Sequence, residues 1–578
     1  MDSLILNRQW RFPDMDEGRV QALARQSDVP ELIACFLLNR GIDSNNELNR
    51  HLNPALSGLN DPAEMAGMEA AVDRLVQAVA NGERVGIFGD YDADGVSASA
   101  LVYLFLREIG IGCDVYIPHR EQDGYGLNQE GLEWLRQKGC SVVVTVDCGI
   151  GNKAEINWAR QKGLDIIVTD HHLPPEELPP AVAVVNPKQT KCPFPFKDLA
   201  GVGVAFNFIR ALRSKLYQMG RWQKSEVPNL KRYLDLVAIG TVADVMPLVD
   251  DNRILVRAGF EVLEKALRPG IKALLEVACV RGGISAHDVG FRLAPRINAA
   301  GRMDHAEVAL RLLVTNDPDE AMVLAKELQQ LNNQRQAQEG VILREALALA
   351  DKIGDRPAYV LASKKWKKGV LGIVASRLSD QLKRPVLLMC QEGDELHGSG
   401  RCPEGLNLHN ILSSCSQYLL SFGGHKAAAG LRLRVDHLEA FVESFEQKVA
   451  EELGKEQFKE SVLGIDAWTD PGSLIDSNFY SSFSKLEPFG EGFPRPLVAL
   501  KDFELIHKAV VGNGHLKLRL GTKNSPSSGI IDVLAWGHGD KVDLEWQELE
   551  LACFPEYNSW NGTRRLQLVL KDARCKQR

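Results

Sequence analysis

No C-x-x-C pair occurs among the eleven cysteines, which stand singly at 35, 113, 140, 148, 192, 279, 390, 402, 415, 553 and 575. That scatter and the odd count exclude a disulfide framework and a thiolate zinc site, and they imply a reducing compartment, the cytoplasm. No run reaches 18 apolar residues, so no segment is expected to span a membrane. The start, MDSLILNRQWRFPDMDEG, loses its one apolar run, LIL, after three residues and turns acidic, and reads as neither signal nor transit peptide. Positive charge is not in excess either. With a net charge of −8 and a pI near 6.0, any contact with nucleic acid must come from a local groove rather than a basic coat.

What is present is ordinary globular material: 45% hydrophobic, 25% charged, mean hydropathy −0.16. The 578 residues make a multidomain chain at about 100 to 200 residues per domain. Residues 1–75 read as a helical lead-in subdomain with turns at Pro54, Gly58 and Pro62. From Arg84, short apolar runs alternate with helical stretches (VGIFGD, CDVYIP, SVVVTVD, DIIVTD, AVAVVNP), the pattern of βαβ units on a parallel sheet, over 76–304. A helical stretch over 305–353, with a break expected near Thr315 to Pro318, leads to a second α/β block over 354–455 that closes with a helix from Leu438 to Glu451. Residues 460–578 turn strand-rich and short-looped, as a small β-barrel does.

Chemistry-bearing residues gather where strands end. GIFGDYDADG puts Asp90, Asp92 and Asp94 after one strand, Asp147 follows SVVVTVD, and Asp170 precedes His171 and His172 after DIIVTD. Strand-end aspartates are commonly caps. Here successive strands deliver them to one edge of an open parallel sheet, where ligands bind. Carboxylates about 4 Å apart repel by about 4 kcal/mol per pair at an effective dielectric near 20, so the cluster needs protons or cations. Aspartate and imidazole without thiolate favour Mg²⁺ or Mn²⁺. Asp244, in AIGTVADVMPL, adds a remote acid at a helix end.

The order and spacing of GDYDADG, VDCG, TDHH and TVADVMPL resemble the DHH phosphoesterase family, and in particular its branch that degrades single-stranded DNA from the 5′ end. The resemblance covers nearly the whole chain. It implies an α/β DHH domain with a parallel sheet, linked by the long helical segment to a DHHA1 domain, plus a C-terminal OB-like barrel. It also implies two divalent cations, Mn²⁺ or Mg²⁺, held by Asp92, Asp94, Asp147, His171 and Asp244, with His172 turned toward the substrate phosphate. Where many relatives have a histidine four residues before the first metal aspartate, this chain has Phe88, and Asp90 is expected to serve as a ligand instead.

Further family elements imply grips on the substrate. YIPHREQDGYGL aims Arg120 at a 5′-terminal phosphate, with Gly124 and Gly126 letting the loop pass close to a ligand. HGSGRC and FGGHKAAAGL, read as glycine-rich turns, resemble the DHHA1 grips and offer Ser399, Arg401 and His425, an arginine fork and hydroxyl being suited to a terminal phosphate. LAPRINAAGRMDH brings Arg296, Asn298 and Arg302, which either hold the scissile phosphate or pin an interface. Seven basic residues between Lys364 and Arg384, with Trp366 among them, form either a solvated helix face or a strand channel. Lys367 stands where relatives usually carry histidine after this tryptophan. In the barrel, Trp536, Tyr557 and Trp560 are candidate stacking surfaces, and Arg564, Arg565 and Lys571 candidate backbone contacts.

The resemblance thus implies a metal-dependent exonuclease acting 5′ to 3′ on single-stranded DNA, releasing 5′-mononucleotides in repair and recombination, with a helicase and a single-strand-binding protein as partners. A small-substrate enzyme of the family, acting on oligonucleotides or cyclic dinucleotides, would need neither barrel nor lead-in. A non-catalytic replication scaffold would not need the full ligand set.

Overall fold

The computed structural model describes residues 8–454, 462–523, 525–560 and 563–576, with the backbone alone for 525–528, 559, 560, 563 and 564. The chain forms two compact units, one of residues 1–116, 126–294 and 460–578, the other of 117–125 and 295–459.

In the first unit, the lead-in opens with β1 (Trp10–Arg11) and continues through α1 (Glu17–Ser27), α2 (Glu31–Leu38) and α3 (Asn45–Leu52). After α4 (Met68–Asn81), strands β2 (Arg84–Gly89), β3 (Cys113–Tyr116), β4 (Cys140–Val146), β5 (Asp165–Thr169) and β6 (Ala183–Val185) alternate with α5 (Ala93–Glu108), α6 (Gln129–Gln137) and α7 (Lys153–Gln161). The sheet is wholly parallel in the order β3-β2-β4-β5-β6. Its strands read as unbroken apolar runs because helices cover both faces. The order reverses direction at β2, so the crevice beyond the carboxyl ends of β2 and β4 is the ligand position of this architecture. Helices α8 (Gly201–Gln218), α9 (Leu234–Ala243), α10 (Asp250–Lys265) and α11 (Pro269–Val277) follow, then a single turn α12 (Ala286–Asp288) and a π-turn at Val289–Leu293.

The second unit holds most of α13 (Ala294–Met303), then α14 (Glu307–Val314) and α15 (Pro318–Ile353). The helical stretch breaks where Pro318 occupies the first turn of α15 and the Asp317 carboxylate accepts from Asp319 N at 2.9 Å. Strands β7 (Tyr359–Ser363), β8 (Val386–Glu392), β9 (Glu395–Arg401), β10 (Leu419–Gly424) and β11 (Ala428–Arg434) form a sheet in the order β10-β11-β9-β8-β7, with α16 (Lys368–Leu382), α17 (Leu408–Ser414) and α18 (Leu438–Leu453) around it. HGSGR is not the glycine-rich turn expected of it but strand β9. A Cβ on Gly400 would come within 2.4 Å of Leu387 Cδ2 and one on Gly398 within 2.9 Å of Leu431 Cδ2, so these glycines make room for neighbouring strands.

The C-terminal segment rejoins the first unit. It contains β12 (Leu463–Gly464), β13 (Ala467–Thr469), α19 (Pro471–Ile475), α20 (Ser477–Lys485) and β14 (Val498–Leu500). Strands β15 (Phe503–Val511), β16 (His515–Thr522), β17 (Ser525–Ala535), β18 (Leu549–Trp560) and β19 (Thr563–Cys575) complete a seven-stranded sheet in the order β13-β14-β18-β19-β17-β16-β15. The lead-in packs into this barrel: Ile33, Phe36 and Leu37 share one core with Phe479, Phe483, Phe493 and Trp546, and β1 pairs with β12. Buried Arg253 of α10 fastens the same unit, donating to the carbonyls of His51, Lys485, Leu486, Glu487 and Pro488 at 2.9–3.1 Å. An arginine fork satisfied by five carbonyls fixes a helix against a loop without a carboxylate partner.

Candidate metal centre and phosphate grips

Each acid is set by the backbone that carries it. Asp92 is the N-cap of α5, its Oδ1 accepting from Asp94 N at 2.9 Å and Gly95 N at 3.0 Å. The cap role is therefore real, and it leaves Oδ2 for a ligand. Asp94, one turn on and buried, accepts from Gly201 N at 2.6 Å and Val202 N at 3.0 Å, at the positive end of α8. Asp147 follows β4 in a left-handed conformation, φ 62°, which a non-glycine residue holds only when its surroundings impose it. Asp244 caps the end of α9. His171 Nε2 lies 3.1 Å from Asp147 Oδ1 and 3.6 Å from Asp244 Oδ2.

Three overlapping groups result, each with donor atoms within 4.8 Å of one another: Asp90, Asp92 and Asp147; Asp94, His171 and Asp244; and Asp147, His171 and His172. The three groups bring together the six expected ligands, Asp90 among them, and His172, but not Asp170. Burial and then mutual repulsion push the Asp94 and Asp147 carboxyls well above their usual range, and burial with the nearby Asp92 charge raises Asp244 to about 7. Burial, then the neighbouring His172, lowers His171 to about 3, so it is a neutral imidazole. The buried Asp244 Oδ2 accepts no hydrogen bond among the described residues. Acids held at close range with a neutral imidazole and an unsatisfied oxygen suit divalent cations, whose charge replaces the protons the acids would otherwise keep.

His172 stands apart in chemistry. Burial would lower its pKa, but the hydrogen bond from Nδ1 to Asp170 Oδ1 at 2.7 Å prevails and raises it. Asp170, fully buried, also accepts from the backbone of His171 and of Ile150. From sequence it is only a strand-end acid, and the structure makes it the holder of His172. Sequence reasoning also missed three glycines. A Cβ on Gly95 would lie 2.6 Å from Asp90 Cβ, one on Gly201 2.5 Å from Asp147 Oδ1, and one on Gly240 2.5 Å from Asp94 Oδ1. Gly95 ends GDYDADG and Gly240 lies within AIGTVADVMPL, motifs noted for their acids alone, while Gly201 stands in AGVGV, outside any motif.

The second unit gathers opposite charge. The Arg401 guanidinium is lowered from its usual range by burial and then by the positive charge of Arg120, so the two cations share a neighbourhood. Arg401 Nη1 donates to Gly400 O at 2.8 Å and lies 3.4 Å from Ser399 Oγ. Gly372 of α16 faces them, since a Cβ there would be 3.0 Å from Ser399 Oγ and 3.2 Å from Arg401 Nη2. His425 is exposed in the turn between β10 and β11, three residues before Ala428, the register partner of Arg401. Arg296 Nε donates to Gln329 Oε1 at 2.7 Å and Arg302 Nη1 to Gly369 O at 3.1 Å, contacts that pin helices within this unit. Asn298 lies between them on α13.

Two aromatic readings change. Trp366 is core rather than strand surface, buried with its Nε1 donating to Glu345 Oε2 at 2.8 Å. Within the basic run around it, Lys368, Arg377 and Arg384 already face Glu392, Glu339 and Asp355. Tyr557 packs on Phe483 and donates its hydroxyl to Tyr480 O, so it belongs to the barrel core. Trp536 is 54% exposed, edge-on to His515. The side chains of Trp560 and Arg564 lie outside the described residues; Arg565 is exposed and Lys571 half-buried.

Family profiles agree with this anatomy. The DHH family N-terminal domain matches residues 84–241, the DHHA1 domain 354–451 and the RecJ OB domain 465–572. The parallel sheet with its acid-lined edge is therefore that of a DHH-family protein. Among similar proteins, the single-stranded-DNA-specific exonuclease RecJ of Bacillus subtilis is 35% identical, the match covering 98% of this chain and 70% of that protein, and RecJ of Escherichia coli is 37% identical over 94% and 96%. The crystal structure of Thermus thermophilus RecJ with Mn²⁺ superposes with a TM-score of 0.82 at 32% identity, covering 99% of this chain and 80% of that one; its Mg²⁺ complex gives 0.76 at 31% identity, over 99% and 79%. The chain belongs to the RecJ family of single-stranded-DNA-specific exonucleases.

Proposed function

We propose that this chain is a 5′ to 3′ exonuclease on single-stranded DNA that releases 5′-mononucleotides, using two divalent cations, Mn²⁺ or Mg²⁺. The observation that carries the reading is the cluster of Asp90, Asp92, Asp94, Asp147, Asp244 and His171, in which burial and then neighbouring negative charge raise the carboxyls of Asp94, Asp147 and Asp244. Bound there, divalent cations supply charge that lowers the pKa of a water and stabilises in-line displacement at phosphorus. The chain's own residues do the rest. The amides of Gly201 and Val202 fix Asp94, and Asp170 orients the ring of His172, which is assigned to a non-bridging phosphate oxygen. Arg120, Ser399 and Arg401 take the 5′-terminal phosphate, and His425 stands at the rim of that grip. Arg296, Asn298 and Arg302 bind backbone phosphates, with Arg302 assigned to the scissile one.

In this reading 1–75 is the lead-in, 76–304 the catalytic DHH domain, 305–353 the helical linker, 354–455 the DHHA1 domain and 460–578 the strand-binding barrel, with Trp536 and Trp560 as stacking surfaces. No helix among the described residues is long and apolar enough to cross a membrane. The family resemblance supports a cytoplasmic role in repair and recombination beside a helicase and a single-strand-binding protein. The test uses oligonucleotides labelled at either end, with and without a 5′-phosphate. Mononucleotides should appear first from the 5′ end of single strands and only with added metal. First release from the 3′ end, or equal cutting of blunt duplex, would overturn the polarity or the strand preference.

A further inference from the structure

An aromatic pair outside these grips is held out into solvent beside the metal centre. Phe291 is 73% exposed, and its ring stacks on His287, also exposed, with centroids 4.7 Å apart and planes 27° apart. Isolated exposed aromatics are common and need no explanation. This pair sits on a clamped support. The turn α12 is closed by a reciprocal cap between Ser285 and Asp288, and Arg292 donates to Asp288 Oδ1 at 3.1 Å, to Ala278 O at 2.8 Å and to Cys279 O at 2.5 Å. Val289 and Leu293 of the π-turn are buried as anchors, so Phe291 is pushed outward between them. π-turns recur at functional sites.

The support is tied to the catalytic edge. The π-turn packs on α9, where a Cβ on Gly290 would lie 3.8 Å from Val242 Cγ1, and α9 ends in the cap Asp244. Val245, next along, is exposed with a left-handed φ of 55°, and Leu173, directly after His172, is exposed as well. Apolar side chains therefore stand free immediately beside two residues of the site. In a protein that handles single-stranded nucleic acid, a rigid exposed ring stack offers a face to an unpaired base, whatever its identity.

We infer that His287 and Phe291 form a base-stacking platform that holds one nucleobase of the single strand next to the metal centre. The inference rests on the single-strand exonuclease reading above. It predicts that Phe291→Ala raises the half-saturating concentration of a 5′-phosphorylated oligonucleotide about tenfold, from a stacking contribution of one base, while Phe291→Trp restores it and melting temperature is unchanged. His287→Ala should act in the same direction and less strongly. The deciding experiment pairs wild type and Phe291→Ala with oligonucleotides carrying one abasic residue moved stepwise from the 5′ end. Half-saturating concentration is read in Mn²⁺, and strand affinity by anisotropy in EDTA. At one position the abasic residue should weaken wild type about as much as the substitution does and leave the variant unaffected. If the two losses multiply at every position, or if Phe291→Ala loses nothing, the platform is overturned and Phe291 is left as a protein-docking or packing residue. A wild type that neither binds nor degrades the strand overturns the exonuclease reading itself, a separate result.

Discussion

The two charged clusters of this protein are built on opposite plans. In the first unit, acids are buried at the ends of neighbouring strands, held by backbone amides and crowded by glycines that leave no room for a methyl group. In the second, two arginines share a half-buried neighbourhood on a strand and a loop, with a hydroxyl and a glycine beside them. Each cluster is repulsive in itself, and in the proposed function each is completed by the charge it lacks: cations in one, a phosphate in the other. Burial sets the difference in what is at stake, because Asp94 and Asp147 have almost no water to screen them, whereas the arginines keep part of their solvent.

The comparison breaks most severely at the acids. Asp147→Asn should lower turnover at least ~10³-fold with Mn²⁺ present, since it removes a donor common to two of the three groups, while the metal-free protein melts no lower than wild type at pH 8 because a buried like charge is gone. Near wild-type turnover would remove Asp147 from the metal set. Gly201→Ala should cost roughly 10²-fold, because displacing a positioned group by about an ångström has that effect, and it should weaken Mn²⁺ binding by calorimetry. Full activity in this variant would show that the Asp147 carboxylate is not held where the structure puts it.

Arg401→Ala tests the other side. A charge-assisted contact of roughly 1.5 to 3 kcal/mol predicts a loss of tenfold or more in preference for 5′-phosphorylated over 5′-hydroxyl ends, with kcat at saturation little changed. Equal loss on both ends would place Arg401 elsewhere on the strand. The pH dependence of stability sharpens the contrast further. A carboxyl whose pKa is raised on folding stabilises the fold while protonated. For Asp244, raised from 3.8 to about 7, that contribution is complete below about pH 4 and is lost as pH climbs toward 7. Metal-free protein in EDTA should therefore melt several degrees lower at pH 8 than at pH 5.5, and Mn²⁺ should abolish the difference. A melting temperature that rises across that window without metal would contradict the raised carboxyls. The smallest effect is expected in the barrel, where Trp536→Ala should weaken strand affinity about fivefold or more at fixed salt and leave turnover of saturating short oligonucleotides unchanged.

Most of the acid cluster was legible because Asp90, Asp92, Asp94 and Asp147 come directly after runs of apolar residues that only a buried strand explains, and strands of a parallel sheet end on one edge, whereas Asp244 ends a helix. The close packing that makes the cluster work was not legible. Gly201 and Gly240 lie far in sequence from the acids they touch, and only the fold reveals the contact. The role of Asp170 was hidden for a similar reason, since a strand-end acid looks the same whether it binds a metal or orients a histidine. Aromatics divided by burial, which composition does not encode. Trp366 and Tyr557 went to cores while Trp536 stayed outside, and Phe291, next to a stretch notable for its arginines, drew no attention. The glycines of HGSGR suggest a turn because glycine permits one, yet here the missing side chains make space for Leu387 and Leu431.

The central claim is that the buried acids are a cation site and that this site performs the hydrolysis. The most direct measurement titrates Mn²⁺ into the metal-free full chain at pH 8, following bound metal by calorimetry and mononucleotide release from a 5′-phosphorylated single strand in the same samples. The account predicts release that is absent in EDTA, grows as two sites fill, and is lost along with high-affinity binding in Asp147→Asn. Release that persists in EDTA, or that survives in Asp147→Asn with metal binding undiminished, would contradict it.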